Sequence, residues 1–451
     1  MNRKRIWGWW FFDWACQPYH TLLVSFIFSI YYAEIARNSY VAQGMDAAQA
    51  GAAAQSLWGY GLAIGGAAIA ILAPILGTVA DSTGRRMPWV WFFSGVIVVS
   101  ASGLWLLSPE DPRLVLSVAL FGLGLAGVEL ATIFTNAMLP GLAPREETGR
   151  ISGTGFAFGY LGGLVSLAIM LLFFAESSSG TTLIGLRPLF GLDPELRQGT
   201  RFVGPFTALW FALFMIPFFL WVREPQGQGK PFHPLAAARD LMALLRSLRH
   251  RRSLLTWLIS SMLSRDALNG LYGFGGVYAG TMLGWPVILS GIFGIVTVIA
   301  AIFISWLGGR ADQKWGPKPV VIAAIIALTV VCIVIVSMDR SAIFGIPLPE
   351  GSKLPDAIFF LCGTVIGGAG GAMQAASRTL TVRHTSAERA TEIFGLYALS
   401  GKATAFLAPF LIALVTDLTG NQRIGISPLI VMFLLAVFLL NWVNKNGEAE
   451  Q

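Results

Sequence analysis

Gly77-Thr78-Val79-Ala80-Asp81-Ser82-Thr83-Gly84-Arg85-Arg86 joins two apolar runs, near 57–80 and 88–107. Each run has the roughly 20 residues that a helix needs to cross the hydrocarbon of a bilayer. A polar link this short predicts a hairpin of two membrane spans. Gly77 permits close helix approach, and Gly84 permits a tight turn. Asp81 is suited to pair with an arginine or to sit at a helix N-terminus, where the dipole favours an anion. Arg85 and Arg86 fix the link on one side of the membrane. Outward from this hairpin the pattern continues, with apolar stretches near 7–34, 114–138, 151–175 and 204–222. A second set lies near 253–280, 287–308, 319–337, 357–377, 392–416 and 426–443. The expected architecture is an all-α membrane protein of 12 transmembrane helices.

Composition agrees. Of 451 residues 55% are apolar and 12% charged, half the ~25% of an average soluble domain. A soluble enzyme, a secreted disulfide scaffold and a nucleic-acid-binding protein are excluded. The net charge of +7 is spread over short loops on alternate sides of the apolar stretches, a topology signal and not a phosphate-binding stripe. Counting Lys and Arg places 21 on the side of the N-terminus and 8 on the other, with Arg265 and Lys402 inside spans. Both termini are therefore expected in the cytoplasm, and the chain in the inner (plasma) membrane. Asn2-Arg3-Lys4-Arg5 precedes an apolar run that reaches about Glu34 without a small-residue cleavage site, so this start reads as a retained first span. Cys16, Cys332 and Cys362 are scattered through apolar segments and read as small core residues. The four histidines form no metal motif, and no cofactor is expected.

The two sets of spans repeat each other. Gly77-x3-Asp81-x2-Gly84 recurs as Gly308-x3-Asp312-x3-Gly316, Asp13-x5-Tyr19 as Asp266-x5-Tyr272, and Gly153-x5-Gly159 as Gly395-x5-Gly401. The changing offsets match longer loops after spans one and nine. This order predicts a six-helix bundle over 1–222, a second over 253–451 and a connector over 223–252. In the connector Leu235, Ala238, Leu241, Met242, Leu245 and Leu248 share a face, with Arg239, Arg246 and Arg249 elsewhere, as in a helix lying on an anionic leaflet. Duplicated bundles of this kind build alternating-access transporters, with the solute site between the halves near mid-membrane.

The segment Gly77–Arg86 closely resembles the loop between helices two and three that marks the major facilitator superfamily. The resemblance implies that Gly77, Asp81, Gly84, Arg85 and Arg86, with Asp312 at the equivalent seam, gate the protein and do not bind solute. Such a latch, at about 1–3 kcal/mol, shifts a two-state ratio roughly 5- to 150-fold. A narrower resemblance covers most of the chain. Asp13-Trp14-Ala15-Cys16-Gln17-Pro18-Tyr19, Asn136-Ala-Met-Leu-Pro140, Gly149-Arg150-Ile-Ser-Gly153 and Gly159-Tyr160-x-Gly162-Gly163 look like the vacuole-effluxer-like branch. So do Ser377-Arg378, Glu392-Ile-Phe394-Gly395-Leu-Tyr397 and Gly401-Lys402. Fungal members of that branch are associated with release of amino acids from the vacuole. Cys16 stands where the family usually has asparagine, so the resemblance implies no amide hydrogen bond to solute at that position. Tyr160 stands where the superfamily's antiporter glycine motif has proline, so antiport is not inferred.

Ionisable groups within the hydrocarbon cost about 2.5–3.5 kcal/mol each and need a partner or a task. Asp13, Gln17 and His20 at i, i+4 and i+7 predict one inward face of span one. Asp13 either belongs to a proton path with His20 or pairs with a basic residue near the interface. Arg265 and Asp266 point about 100° apart on span seven. Asn269 and Tyr272 extend the Arg265 face, which suits a carboxylate or phosphate. An ion pair of Arg265 with Asp13 or Glu129 is the structural alternative. Lys402 lies near mid-membrane, and Glu129, with Thr132 and Asn136 on its face, is its expected partner from the other half; Gln374 and Arg378 mirror that face. A Glu129–Lys402 or Asp13–Lys402 pair that forms in one state and breaks in the other would couple protonation to movement.

The expectation is a secondary transporter, present as a single copy in the bilayer. It would move a small polar or zwitterionic solute, coupled to protons through some of Asp13, His20, Glu129, Asp266 and Lys402, with amino acids implied by the resemblance. Two rivals stay open: a lipid or amphiphile transporter, supported by Trp7, Trp9, Trp10, Phe11 and Phe12 unless these form an interfacial belt, and a non-transporting assembly factor or receptor.

Overall fold

The computed structural model describes residues 3–177, 179–224, 239, 242–243, 246–281, 283, 285 and 287–448. The first span is one long path, Arg3–Ala42, made of α1 (Arg3–Pro18), a wider-wound π-helical stretch (Tyr19–Phe26) and α2 (Phe28–Ala42). Pro18 has no N–H to give, and the α-helical ladder ends there. The path continues through α3 (Ala47–Thr83), α4 (Met87–Gly103), α5 (Leu114–Ala137) and α6 (Arg145–Phe173). The sixth path is α7 (Gln198–Arg201), α8 (Val203–Phe214) and α9 (Ile216–Trp221). The second half holds α10 (Arg252–Thr281), α11 (Val287–Trp315), α12 (Pro317–Val336), α13 (Leu354–Arg383), α14 (Ala390–Ala403), α15 (Leu407–Thr419), α16 (Gln422–Gly425) and α17 (Ser427–Leu440). The loop before α13 folds into a two-residue hairpin, Ala342–Ile343 against Ile346–Pro347, a small exception to the all-helical expectation.

Among the described residues, eleven helices are long and apolar enough to cross a membrane. The span expected near 253–280 is α10, 30 residues long; Ser260, Ser261, Ser264, Arg265 and Asp266 make it too polar to join that count. The long loop expected after span one is absent, because α2 runs to Ala42 and α3 starts at Ala47. The alanine-rich run 47–54 is helix-favouring without being strongly apolar, so the helix outlasts the hydrophobic signal. Of the expected amphipathic connector, Leu235, Ala238, Leu241 and Leu245 lie outside the described residues, while Arg239 and Met242 are helical.

One apolar cluster gathers side chains from Ile6 to Val222 and takes in Val382, Ala390, Phe394 and Ala398 from far along the chain. The other runs from Leu254 to Val443. Tyr397 packs against both. Trp9 and Phe12, at 2% exposure, belong to the first cluster and to no interfacial belt; Trp7, at 47%, points outward. Trp9 donates its indole N–H to the Thr135 carbonyl at 2.7 Å. Cys16, Cys332 and Cys362 are buried and free, as core residues.

The face bearing both described ends, here the terminal face, is tied down by carboxylates at helix starts. Glu224 accepts from the Arg86 N–H at 2.9 Å and the Met87 N–H at 3.0 Å, capping α4. Glu448 accepts from the Ser253 N–H at 2.9 Å and caps α10. His384, just past α13, is buried, and burial lowers its pKa. Its neutral ring donates from Nδ1 to the Leu380 carbonyl at 2.9 Å and accepts at Nε2 from the Ser253 hydroxyl at 2.8 Å.

Candidate gate and charge pairs between the halves

The repeated glycine–aspartate segments end α3 and α11 in the same way. Gly84 (φ +64°) and Gly316 (φ +86°) both take a positive φ where each helix ends, one turn beyond Asp81 and Asp312. Asp81 then reaches across to the other half. Its Oδ2 accepts from the Glu392 N–H at 2.8 Å, in the first turn of α14, while Oδ1 holds the Arg86 guanidinium at 2.8 Å. The helix dipole and the cation both favour the anion there. Arg86 adds bonds to the Thr391 hydroxyl and Ala387 carbonyl, both at 2.6 Å. Arg85 is exposed, and no side-chain hydrogen bond or ion pair of it is found among the described residues. A Cβ on Gly77 would meet the Thr391 carbonyl at 2.6 Å, so glycine is what lets α3 touch α14.

Asp312 faces the start of α6, 2% exposed, with neither oxygen hydrogen-bonded. It packs on Gly149, and four residues on, Gly153 crosses Gly309 backbone to backbone. A Cβ on Gly153 would lie 2.5 Å from the Gly309 Cα, closer than any real contact. The rest of the glycine run serves a different neighbour: Gly155 and Gly159 seat Asp13, and Gly163 seats Gln17, both on α1. Gly153→Leu is expected to block this crossing while leaving each half folded. At about 1–3 kcal/mol for overpacking, the closed arrangement loses roughly 5- to 150-fold in population. Alkylation of a cysteine placed at Ala375, buried in the same seam, should accelerate to match; an unchanged rate would remove the role given to this crossing.

Deeper in, Asp13 and Arg378 form a two-pronged pair between halves, Nη1–Oδ2 at 3.0 Å and Nη2–Oδ1 at 3.1 Å. The guanidinium lies over the Trp9 and Phe156 rings, 4.8 and 4.2 Å from their centroids. The partners expected for Asp13, Lys402 or Arg265, are not the ones it takes. Asp13 and His20 meet different partners, since seven residues set them about 10 Å apart along the helix, which turns π-helical at Tyr19. Asp13 looks to Arg378, and His20 to Glu129 and Lys402.

At mid-membrane, Lys402 Nζ donates to Glu129 Oε1 at 2.9 Å, joining α14 to α5, with both side chains 24% exposed. Arg265 is within electrostatic reach of Glu129. Its Nη1 donates to the Tyr397 carbonyl at 2.9 Å, its plane covers the Tyr397 ring at 4.2 Å, and Gly401 leaves room for it. Asn269 and Tyr272 are exposed on the same helix, and Gln374 donates to the Tyr160 hydroxyl across the halves at 3.3 Å. Asn136 is buried, near the terminal end of α5. Asp266 is separate from this group. It is 1% exposed and accepts from the Ala408 N–H at 3.3 Å, in the first turn of α15, with its other oxygen unbonded. Spacing on α10 gives no hint of this. Pro409 is the signal: it cannot donate to Ala405 and disfavours a continuous helix, so α14 and α15 are split between Ala403 and Leu407. Glu224, Tyr397 and Trp9 are contributors that span-by-span reading misses.

Among the described residues, the side-chain bonds between halves lie at the terminal face and mid-membrane. On the opposite face the ion pairs stay within a half, as Arg197 with Glu34 and Glu176, Arg340 with Asp356, and Arg423 with Asp339. This arrangement of helices is shared with the human organic anion transporter MFSD10 (TETRAN), at a TM-score of 0.71 over 97% of this chain and 99% of that one, with 15% identity. The protein is a multi-pass membrane transporter of the major facilitator type, not an enzyme. Over residues 1–451 it matches the family described as Vacuole effluxer Atg22 like, and it belongs to that family. It is 25% identical to the uncharacterized MFS-type transporter YxiO of Bacillus subtilis (strain 168), over 98% of this chain and 95% of that protein. It is also 24% identical to Autophagy-related protein 22 of Cryptococcus neoformans var. neoformans serotype D (strain B-3501A), over 66% of this chain and 53% of the fungal protein.

Proposed function

We propose that the chain moves a small polar or zwitterionic solute by alternating access, coupled to protons through Glu129, Lys402 and His20. The observation that carries this reading is the Glu129–Lys402 pair, which joins the halves at mid-membrane while staying partly exposed. An acid, a lysine, a histidine and the nearby Arg265 offer groups for both ends of a zwitterion. Residues 1–222 and 253–451 are the two moving bodies in this scheme. The excess of Lys and Arg on the terminal face supports placing both termini in the cytoplasm. The closed seam of Asp81, Arg86, Asp312, Asp13 and Arg378 is then the inner gate, and this is the outward-facing state. Amino acids or related metabolites are the proposed solutes, in keeping with the motif resemblance.

The test is thermal unfolding of the purified protein with the standard amino acids, dipeptides, polyamines and single-chain amphiphiles. A ligand at 100 times its Kd adds about 2.7 kcal/mol, so even weak zwitterions should register at millimolar concentration. Stabilisation by a zwitterion, reduced by Arg265→Ala, is the expected result. A shift from amphiphiles alone would favour a lipid mover and overturn the proposal.

A further inference from the structure

We propose that the terminal face carries a binding site for an anionic phospholipid, in a cavity of about 760 Å³ between the α11–α12 turn, the end of α13 and the C-terminal tail. Four cations line it, Lys314, Lys318, Arg383 and Lys445, against one acid, Glu146. Among the described residues none of the four stands in an ion pair with a carboxylate. Lys318 Nζ donates to the Val443 carbonyl at 2.8 Å and Arg383 Nη1 to the Lys445 carbonyl at 3.1 Å. Those bonds hold the side chains in place; no carboxylate among the described residues lies within ion-pair distance of the four, and Arg383 acts on Asp312 only at longer range. The Arg383 Nε is buried and has no acceptor.

Away from this basic rim the cavity wall turns apolar. Ile322, Ala323 and Ile326 run down α12, Ile326 lying roughly 14 Å along the helix from Pro317 at 1.5 Å per residue. Ile326 is 49% exposed, and the exposed stripe continues through Val330 and Ile333. Trp315, largely exposed, stands where the basic rim meets this stripe, at the level where indole rings favour the membrane interface. A free inorganic anion would use the cations and leave the stripe bare. A diacyl phosphodiester uses both, with its headgroup at the four cations and an acyl chain along α12. Apart from Glu146 at the start of α6 the lining comes from the second half, and the site lies away from the solute path between Glu129 and Lys402.

Native mass spectrometry of the full-length protein, titrated with phosphatidylglycerol or phosphatidylcholine with and without millimolar inorganic phosphate, tests this. Lys314 and Lys445 are exposed, so K314Q/K445Q should leave the fold intact. Phosphatidylglycerol is expected to bind in preference to phosphatidylcholine. The double variant should weaken it roughly fivefold per lysine, about 25-fold in all. Ile326→Thr, which leaves every cation in place, should weaken phosphatidylglycerol as well. Equal binding of the two lipids, unchanged binding by K314Q/K445Q, or displacement of phosphatidylglycerol by inorganic phosphate would each overturn the proposal.

Discussion

Arg378→Ala is expected to cost about 3–5 kcal/mol, the loss found when one member of a buried ion pair is removed and the other is left uncompensated. Asp13 is 9% exposed and Arg378 4%, and Arg378 is the cation that bonds the Asp13 carboxylate. The stranded carboxylate can regain water by opening the terminal face. The cost therefore shows first as a lost closed state and only then as a lower melting temperature. Alkylation of a cysteine at Ala375 should rise by at least 100-fold, since about 1.4 kcal/mol is tenfold. Asp13→Ala/Arg378→Ala removes both charges and should recover most of the loss, because apolar replacement of a whole buried pair is often neutral. A double variant as impaired as the single would show that the two residues are not coupled.

Glu129→Gln and Lys402→Ala are each expected to uncouple transport from the proton gradient. With one proton moved per solute, a gradient of one pH unit supplies about 1.4 kcal/mol and sustains up to tenfold accumulation. In proteoliposomes loaded with a solute identified by thermal shift, either variant should bring that accumulation to about onefold while solute exchange continues. The reasoning is that Lys402 Nζ lies 2.9 Å from Glu129 across the halves. Charge on either group then favours their approach, and neutralising one frees the halves to part. Lys402→Ala with full accumulation and an unchanged pH dependence would end the case for this pair.

The fold was legible because membrane spans are written in local composition. Apolar runs of the right length place most of the helices, and the repeated glycine–aspartate segments mark matching turns at Gly84 and Gly316. Lipid permits little else than helices with their backbone bonds satisfied internally. The site was legible only in part. Glu129 and Lys402 could be matched because each is an isolated charge at equivalent depth. The Asp13–Arg378 pair joins residues 365 positions apart, and depth alone offered Asp13 several cations. Two features were conformational. The change to π-helical winding beyond Pro18 is absent from an even α-helical face through Asp13, Gln17 and His20, and Asp266 was expected among the proton-coupling groups although a break ahead of Pro409 gives it a helix start to cap. Both prolines were in view, and each perturbs the helix that a smooth hydrophobic run implies.

The winding change at Tyr19–Phe26 has a mechanical consequence. A π-helical stretch holds its residues by i→i+5 bonds, and moving one bond to i→i+4 shifts the following side chains by one residue, about 100° of azimuth. Asp13 lies before that stretch and His20 within it. Unwinding or rewinding there would act as a swivel, turning the histidine towards or away from the central pair while the aspartate keeps its grip on the seam.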